Sequence, residues 1–353
     1  MVPIKVLVVD DSAMVRQVLK AIIDQAEGMT CVATARDAYE ARDNVNQLAP
    51  DVITLDIEMP RMDGLTFLSK LMRARPTPVV MISTLTEKGT EATLRAMELG
   101  AVEFIAKPKL AVRSGLSEYG AEIVRAIQSA SEARVQSARR AIPPQQGEID
   151  ELPALSGTEK IIALGASTGG TEAIKAILEP LPANMPAIVM TQHMPGGFTH
   201  SFASRLNATC AMTVKEAEHN ERIIPGRAYL APGDMHMQVI RSGANYVIQL
   251  SQDPPVNRHR PSVDVMFLSL VKNAGNNTIA LLLTGMGRDG SSGMQSLRET
   301  GALTIAQDED TSLVYGMPKA AVDLGAADTI LPLDRMPKFL VDWASRKAST
   351  NRV

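Results

Sequence analysis

Residues 161–178 read IIALGASTGGTEAIKAIL. A short, wholly apolar run gives way to a glycine-rich turn and then to a stretch with helical character, which is the pattern of a strand, a tight turn and a helix. Strands that are apolar throughout belong in a parallel sheet covered on both faces, because neither side can meet water. The same signature recurs downstream in AIVM (187–190), AYLAP (228–232), TIALLLTG (278–285) and ALTIA (302–306). One segment breaks the series. MHMQVIRSGANYVIQL (235–250) alternates apolar and polar residues around Ser242-Gly243, which predicts an inserted β-hairpin.

Upstream, IKVLVV (4–9), DVITL (51–55), PVVMI (78–82) and VEFIA (102–106) alternate with helix-like stretches and predict a separate parallel sheet. Between the two series, residues 120–141 are rich in Ala, Glu, Arg and Ser and can be helical. Residues 142–160, IPPQQGEIDELPALSGTEK, carry Pro and Gly without apolar periodicity and read as a linker. At 353 residues the chain exceeds one ordinary core. The expected architecture is α/β, with two doubly wound parallel-sheet domains. A flavodoxin-like domain occupies 1–125, a linker 126–156, and a Rossmann-like domain with the inserted hairpin 157–349.

Composition excludes several classes of function. Hydrophobic residues make up 45% and charged residues 21%, with a net charge of −3, so no basic excess points to nucleic acid. Two cysteines, Cys31 and Cys210, fall in different predicted domains and argue for a reducing compartment. The start MVPIKVLVVDD lacks the pattern of a signal peptide, and no apolar stretch approaches the roughly 20 residues needed to span a bilayer. A soluble, cytoplasmic protein with no membrane insertion is expected.

In open α/β sheets, sites collect at the carboxyl ends of strands. In the first domain that rule brings together Asp10 and Asp11, Asp56, Ser83 and Lys107. Three carboxylates repel one another unless a cation lies among them, and an all-oxygen set suits Mg²⁺. Lysine supplies a positive charge and serine a hydroxyl for a phosphoryl group, and a carboxylate can itself accept one. Singly, each residue is as readily a helix cap or a turn; together, in register with the strand ends, they point to phosphoryl chemistry.

In the second domain, Gly165-Ala166-Ser167-Thr168-Gly169 satisfies G-x-S-x-G, a turn that exposes a serine hydroxyl. Taken alone it reads slightly better as a phosphate-binding loop, although neither nucleotide fingerprint is complete. A serine needs a base. Of the five histidines, His193 stands directly after an apolar strand at the same sheet edge, whereas His200, His219, His236 and His259 read as structural or surface residues. The base needs an orienting carboxylate. Asp289 follows TIALLLTG in the glycine-rich loop GMGRDGSSG, with Asp308, Asp310 and Asp264 as rivals; Asp264 sits near a helix start that Ser262 would cap. Ser167, His193 and Asp289 together would support acyl transfer. Their chain order differs from the Ser, acid, His order of α/β-hydrolases.

Both halves carry a family resemblance. VVDDS, LDIEMPRMDG, the serine after VVMI and FIAKP resemble the response-regulator receiver domain. GASTGGTEAI, TQHMPGGFTHSF, YLAPGDMHM, RHRPSVDVMF and LLTGMGRDGSSGM are similar to the catalytic domain of chemotaxis protein-glutamate methylesterases, the CheB family. The resemblance implies Asp56 as phosphoacceptor, Mg²⁺ held by Asp10, Asp11, Asp56 and the Glu58 carbonyl, phosphoryl contacts from Ser83 and Lys107, and Phe104 as an aromatic switch. It implies Ser167 as nucleophile, His193 as base and Asp289 as its orienter, with Met286 and Thr168 as oxyanion donors and no cofactor in the esterase domain. The implied substrates are glutamate methyl esters, and also glutamines, on chemotaxis receptors, and the implied phosphodonor is the chemotaxis histidine kinase. An unphosphorylated receiver covering the hydrolase rim would make the enzyme phosphorylation-activated. The alternative class is a response regulator whose second domain binds a nucleotide or protein without catalysis.

Overall fold

A computed structural model of the chain describes residues 2–83, 87–107, 116–135 and 160–345. Of the linker expected at 126–156, residues 136–156 lie outside them, as does the side chain of Ser83, and residues 126–131 are helical. The chain divides into two compact units, Met1–Ile142 and Pro143–Val353.

The first unit runs β1 (Ile4–Val9), α1 (Ala13–Gln25), β2 (Met29–Ala35), α2 (Ala38–Leu48), β3 (Val52–Asp56), α3 (Gly64–Ala74), β4 (Val79–Ser83), α4 (Glu87–Glu98), β5 (Glu103–Ala106) and α5 (Leu116–Ser131). Its five strands pair in parallel in the order β2-β1-β3-β4-β5. The strands read as continuously apolar are buried: Val6 to Val9 of β1 and every residue of β3 are shielded from water. Helix starts are set by short polar side chains. Asp37 accepts from the amides of Tyr39 and Glu40, and Asp63 from that of Thr66, which satisfies donors that a helix leaves open at its first turn.

The second unit begins with β6 (Ile161–Ala166), α6 (Gly170–Leu178), β7 (Ala187–Gln192), α7 (Phe198–Thr209), β8 (Thr213–Glu216) and β9 (Arg227–Leu230). The expected hairpin follows as β10 (His236–Ser242) and β11 (Asn245–Ser251), an antiparallel pair turning at Gly243 and Ala244. Then come α8 (Val263–Asn273), β12 (Thr278–Leu282), α9 (Ser291–Glu299), β13 (Leu303–Gln307), α10 (Met317–Asp323), β14 (Thr329–Leu331) and α11 (Met336–Ser345). Seven parallel strands lie in the order β14-β13-β12-β6-β7-β9-β8. The chain builds outward from β6 through β7 on one side and from β12 through β13 on the other. The crevice between β6 and β12 is therefore a topological switch point, where sites form in open α/β sheets.

One helix ties the hairpin to this crevice. Met237, Val239 and Ile248 of the hairpin share a buried core with Val263, Met266, Phe267 and Leu270 of α8. Polar pins fix the register: the amide of Val239 donates to Ser269 Oγ at 2.9 Å, and that of Arg241 to Asn273 Oδ1 at 3.0 Å. Burying a side chain the size of Phe267 contributes about 2–3 kcal/mol. The amino end of α8 is thereby held against the sheet edge that carries the site. No helix among the described residues is long and apolar enough to cross a membrane.

Candidate active site

Register brings the serine and the first histidine together. Ala166 of β6 pairs with Gln192 of β7, so Ser167 and His193 leave the sheet side by side, and the His193 amide donates to the Ala166 carbonyl at 3.1 Å. On the other flank, the Ser167 amide donates to the Thr284 carbonyl at 3.0 Å, following on from the β6–β12 ladder. Ser167 is nearly buried. Two glycines permit this crowding. A side chain at Gly285 would lie 2.6 Å from Ser167 Cβ, and one at Gly165 would lie 2.3 Å from Cγ1 of Val263, at the start of α8.

His193 Nε2 lies 2.8 Å from Asp289 Oδ2, with both side chains buried. Because an ionised carboxylate only accepts, the ring proton belongs on Nε2 and Nδ1 carries the lone pair. Nδ1 is buried and without a hydrogen-bond partner. A lone pair in that condition is the feature a general base requires, although no hydrogen bond joins it to Ser167.

Asp289 is held from all sides. Its Oδ1 accepts from Asn257 Nδ2 (2.7 Å), Ser262 Oγ (2.8 Å) and the Asp264 amide (3.3 Å), and its Oδ2 accepts from the Val263 amide (2.6 Å) as well as His193. The carboxylate thus occupies the amino end of α8, where unpaired amides and the helix dipole favour an anion. Burial pushes this carboxyl up, but the hydrogen bond and charge of His193, with the Asn257 and Val263 donors, outweigh it and hold Asp289 well below the usual carboxylate range. Ser262 stands at the N-cap position of α8, as expected, but its hydroxyl makes no capping bond to that helix and goes to Asp289 instead. The reason is that the Asp289 carboxylate already accepts from the Val263 and Asp264 amides.

The rival residues have other partners. Asp264 accepts from the Gly293 amide at 2.6 Å and from Asn257, and burial pushes its carboxyl up. Asp308 closes a local turn with Thr311, and Asp310 is exposed. His200 is solvent-exposed, His219 Nδ1 accepts from the Leu250 amide, and buried His236 bridges the Pro254 carbonyl and the Ser262 amide. The ring of His259 stacks on that of His193, with centroids 3.7 Å apart and planes 7° from parallel. Gln192, buried at the end of β7, donates from Nε2 to the carbonyls of Ser167 and His193. Met286, half-buried, follows Gly285 beside the serine, and the Thr168 carbonyl accepts from Thr284 Oγ1 at 2.9 Å.

In the first unit, Asp10 and Asp56 are buried and Asp11 is exposed, with ligand oxygens of the three all within 4.8 Å. Lys107 Nζ lies 2.9 Å from Asp10 Oδ2 and 2.7 Å from Asp56 Oδ2. Burial pushes Asp56 up to about 6, against the lowering effect of Lys107 and with a further upward push from Asp10. For Lys107, burial pulls down but the Asp56 and Asp10 carboxylates outweigh it and hold the ammonium above its usual value. A compact, mostly desolvated, oxygen-only cluster with one solvent-facing member fits a hard divalent cation. Phe104 is buried on β5, Glu58 is exposed just beyond Asp56, and Ser83 ends β4 opposite Ala106.

Comparison with known proteins agrees with both halves. Residues 162–340 match the family described as CheB methylesterase, and residues 6–113 the response regulator receiver domain. A protein-glutamate methylesterase/protein-glutamine glutaminase of Pseudomonas aeruginosa is 57% identical over 351 residues, covering 99% of this chain and 100% of its own. Proteins of the same description from Chromohalobacter salexigens and Salmonella typhimurium are each 53% identical, covering 99% and 96% of this chain and the same shares of their own. Among solved structures, the CheB methylesterase catalytic domain of Thermotoga maritima is similar, with a TM-score of 0.52 and 39% identity, over 53% of this chain and 100% of its own.

Proposed function

The chain belongs to the CheB methylesterase family, with a response regulator receiver domain in front, and from that premise we propose that it is a cytoplasmic, phosphorylation-activated protein-glutamate methylesterase. Its substrates are γ-methyl glutamate esters on chemotaxis receptors, which it converts to glutamate and methanol, and receptor glutamines, from which it releases ammonia. The observation that carries the reading is the buried, unpartnered Nδ1 of His193, with Nε2 tied to Asp289 and Ser167 leaving the sheet alongside.

Ser167 Oγ attacks the ester carbonyl carbon while His193 Nδ1 takes its proton. Asp289 keeps the ring proton on Nε2 and stabilises the imidazolium as it forms. The amide of Met286, next to the glycine that abuts Ser167 Cβ, is assigned to the oxyanion with Thr168. His193 then protonates departing methanol, and water, activated by the same nitrogen, releases the acid from the acyl-serine. With glutamine the leaving group is ammonia and the acyl-enzyme is the same.

In the receiver, Asp56 accepts a phosphoryl group from the chemotaxis histidine kinase. Asp10, Asp11, Asp56 and the Glu58 carbonyl would hold Mg²⁺, which supplies charge neutralisation for phosphoryl oxygens when bound. Lys107, already paired with Asp56, moves to the phosphoryl oxygens, Ser83 donates to them, and Phe104 responds as the switch. Domain limits of 1–125 and 157–349, joined by 126–156, complete the proposal. It is tested by treating the full chain with a fluorophosphonate and locating the adduct by peptide mass. The adduct on Ser167, absent from Ser167→Ala, is expected; labelling elsewhere, or none, would sink the assignment.

A further inference from the structure

The segment Val256–His259 lies in the loop before α8, and two of its side chains meet the His193–Asp289 pair. The Val256 amide donates to the His259 carbonyl at 3.1 Å, and the His259 amide returns a bond to the Val256 carbonyl at 2.9 Å. Between them Asn257 and Arg258 both have positive φ, 53° and 70°, the backbone of a type I′ turn. Asparagine tolerates that region, but arginine does so only where neighbouring structure holds the turn in place.

Each corner of the turn has a task. Asn257 Nδ2 donates at 2.7 Å to Asp289 Oδ1 and at 2.7 Å to Asp264 Oδ2, so one amide holds two buried carboxylates. His259 lies flat on His193 at 3.7 Å. An imidazole tied by the single bond from Nε2 to Asp289 can still tilt about that bond, carrying Nδ1 out of line. A second flat ring against its face removes the tilt and displaces water from it.

We propose that the Val256–His259 turn is a positioning clamp for the His193–Asp289 pair, in which Asn257 fixes the carboxylate and His259 fixes the plane of the base so that Nδ1 faces Ser167. The clamp rests on the reading of Ser167, His193 and Asp289 as the catalytic triad. Neither Asn257 nor His259 is assigned a contact with reacting atoms; both act through the pair. Their effect belongs to turnover, because small misalignments of a base are costly in rate while leaving substrate contacts intact.

The test uses the full chain with methyl-esterified receptor membranes, reading kcat and KM for methanol release together with the rate of fluorophosphonate labelling. The variants are His259→Ala, His259→Leu, His259→Phe and Asn257→Ala, each checked for a cooperative thermal transition. His259→Ala is expected to lower kcat and labelling about 2- to 10-fold with KM unchanged, the worth of one aromatic pair. His259→Leu stays low, and His259→Phe recovers most of the loss because its flat face restores the stack. Asn257→Ala lowers kcat roughly 10- to 100-fold through the lost bond to a charged acceptor. Equal recovery by Leu and Phe, no recovery by Phe, or a rise in KM at constant kcat overturns the clamp. If wild type labels at Ser167 and all four variants label at its rate, the clamp alone fails. If wild type does not label at Ser167, the triad reading fails and the clamp with it.

Discussion

Replacing Asp289 by asparagine is the perturbation whose consequences the structure defines most fully. An amide keeps one acceptor and turns the other into a donor. With nitrogen on the Oδ2 side it faces the Val263 amide, 2.6 Å away and unable to turn, and it forces His193 to accept at Nε2. The ring proton would then move to Nδ1 and the base would be lost. With nitrogen on the Oδ1 side it faces the longer Asp264 contact at 3.3 Å and the Ser262 hydroxyl, which can rotate to accept, while the Asn257 amide must withdraw. The second arrangement is the less costly. His193 keeps its tautomer, but its imidazolium loses the opposing charge, and α8 loses the anion at its amino end. The expected fall in kcat is roughly 10²- to 10³-fold, the scale of losing one preorganised electrostatic contact, against about 10⁴-fold had the ring taken the wrong tautomer. Loss of about two charge-assisted hydrogen bonds should lower stability by roughly 3–5 kcal/mol. Methanol release and urea denaturation of Asp289→Asn measure both quantities. Activity within tenfold of wild type, or destabilisation below about 1 kcal/mol, would mean that Asp289 does not hold His193 and α8 in this way.

Gly165→Ala places a methyl 2.3 Å from Val263 Cγ1, so it should cost about 1–3 kcal/mol by overpacking and slow turnover by displacing the Val263 amide from Asp289. Adding Val263→Ala should restore part of both losses, and a double variant no better than the single would rule out the steric cause. In the receiver, Asp56→Asn should abolish stimulation by a small-molecule phosphodonor while leaving basal esterase activity. It should also change the pH dependence of stability. A carboxyl raised to about 6 when folded, against 3.8 ordinarily, contributes stability that is fully present below pH 4 and lost as pH rises through 6. At about 1.4 kcal/mol per pH unit the loss is roughly 3 kcal/mol. Denaturation in metal-free buffer at pH 4 and pH 7 should show this decline in wild type and not in Asp56→Asn; equal declines would refute it.

The elements nearest the site were the most legible in sequence. IIALGA, AIVMTQ and TIALL are buried throughout and mostly apolar because they lie centrally in the second sheet, and each hands its next residues to the site. The edge strands were less so: TVKE of β8 carries two charged residues, and β14 is three residues with Ile330 half exposed, so neither shows the run that marks a central strand. Strand order followed from no local feature, yet it is what sets β6 between β7 and β12. Within the site, Ser167, His193 and Asp289 were marked by position after strands. Asn257 and His259 follow no strand: their loop has no apolar period, their partners lie far along the chain, at 193 and 289, and RHRPSVDVMF takes in His259 without giving it a role. Only the asparagine at the first position of a tight turn left a local trace.

Serine esterase chemistry under receiver control is tested by methanol release from methyl-esterified receptor membranes. Wild type and Ser167→Ala are compared, each with and without a small-molecule phosphodonor. Release by wild type, acceleration by the phosphodonor, and a fall on the order of 10⁴- to 10⁶-fold in the variant under both conditions are expected. Persistent activity in Ser167→Ala would contradict the triad, and a wild-type rate indifferent to phosphodonor would contradict receiver control.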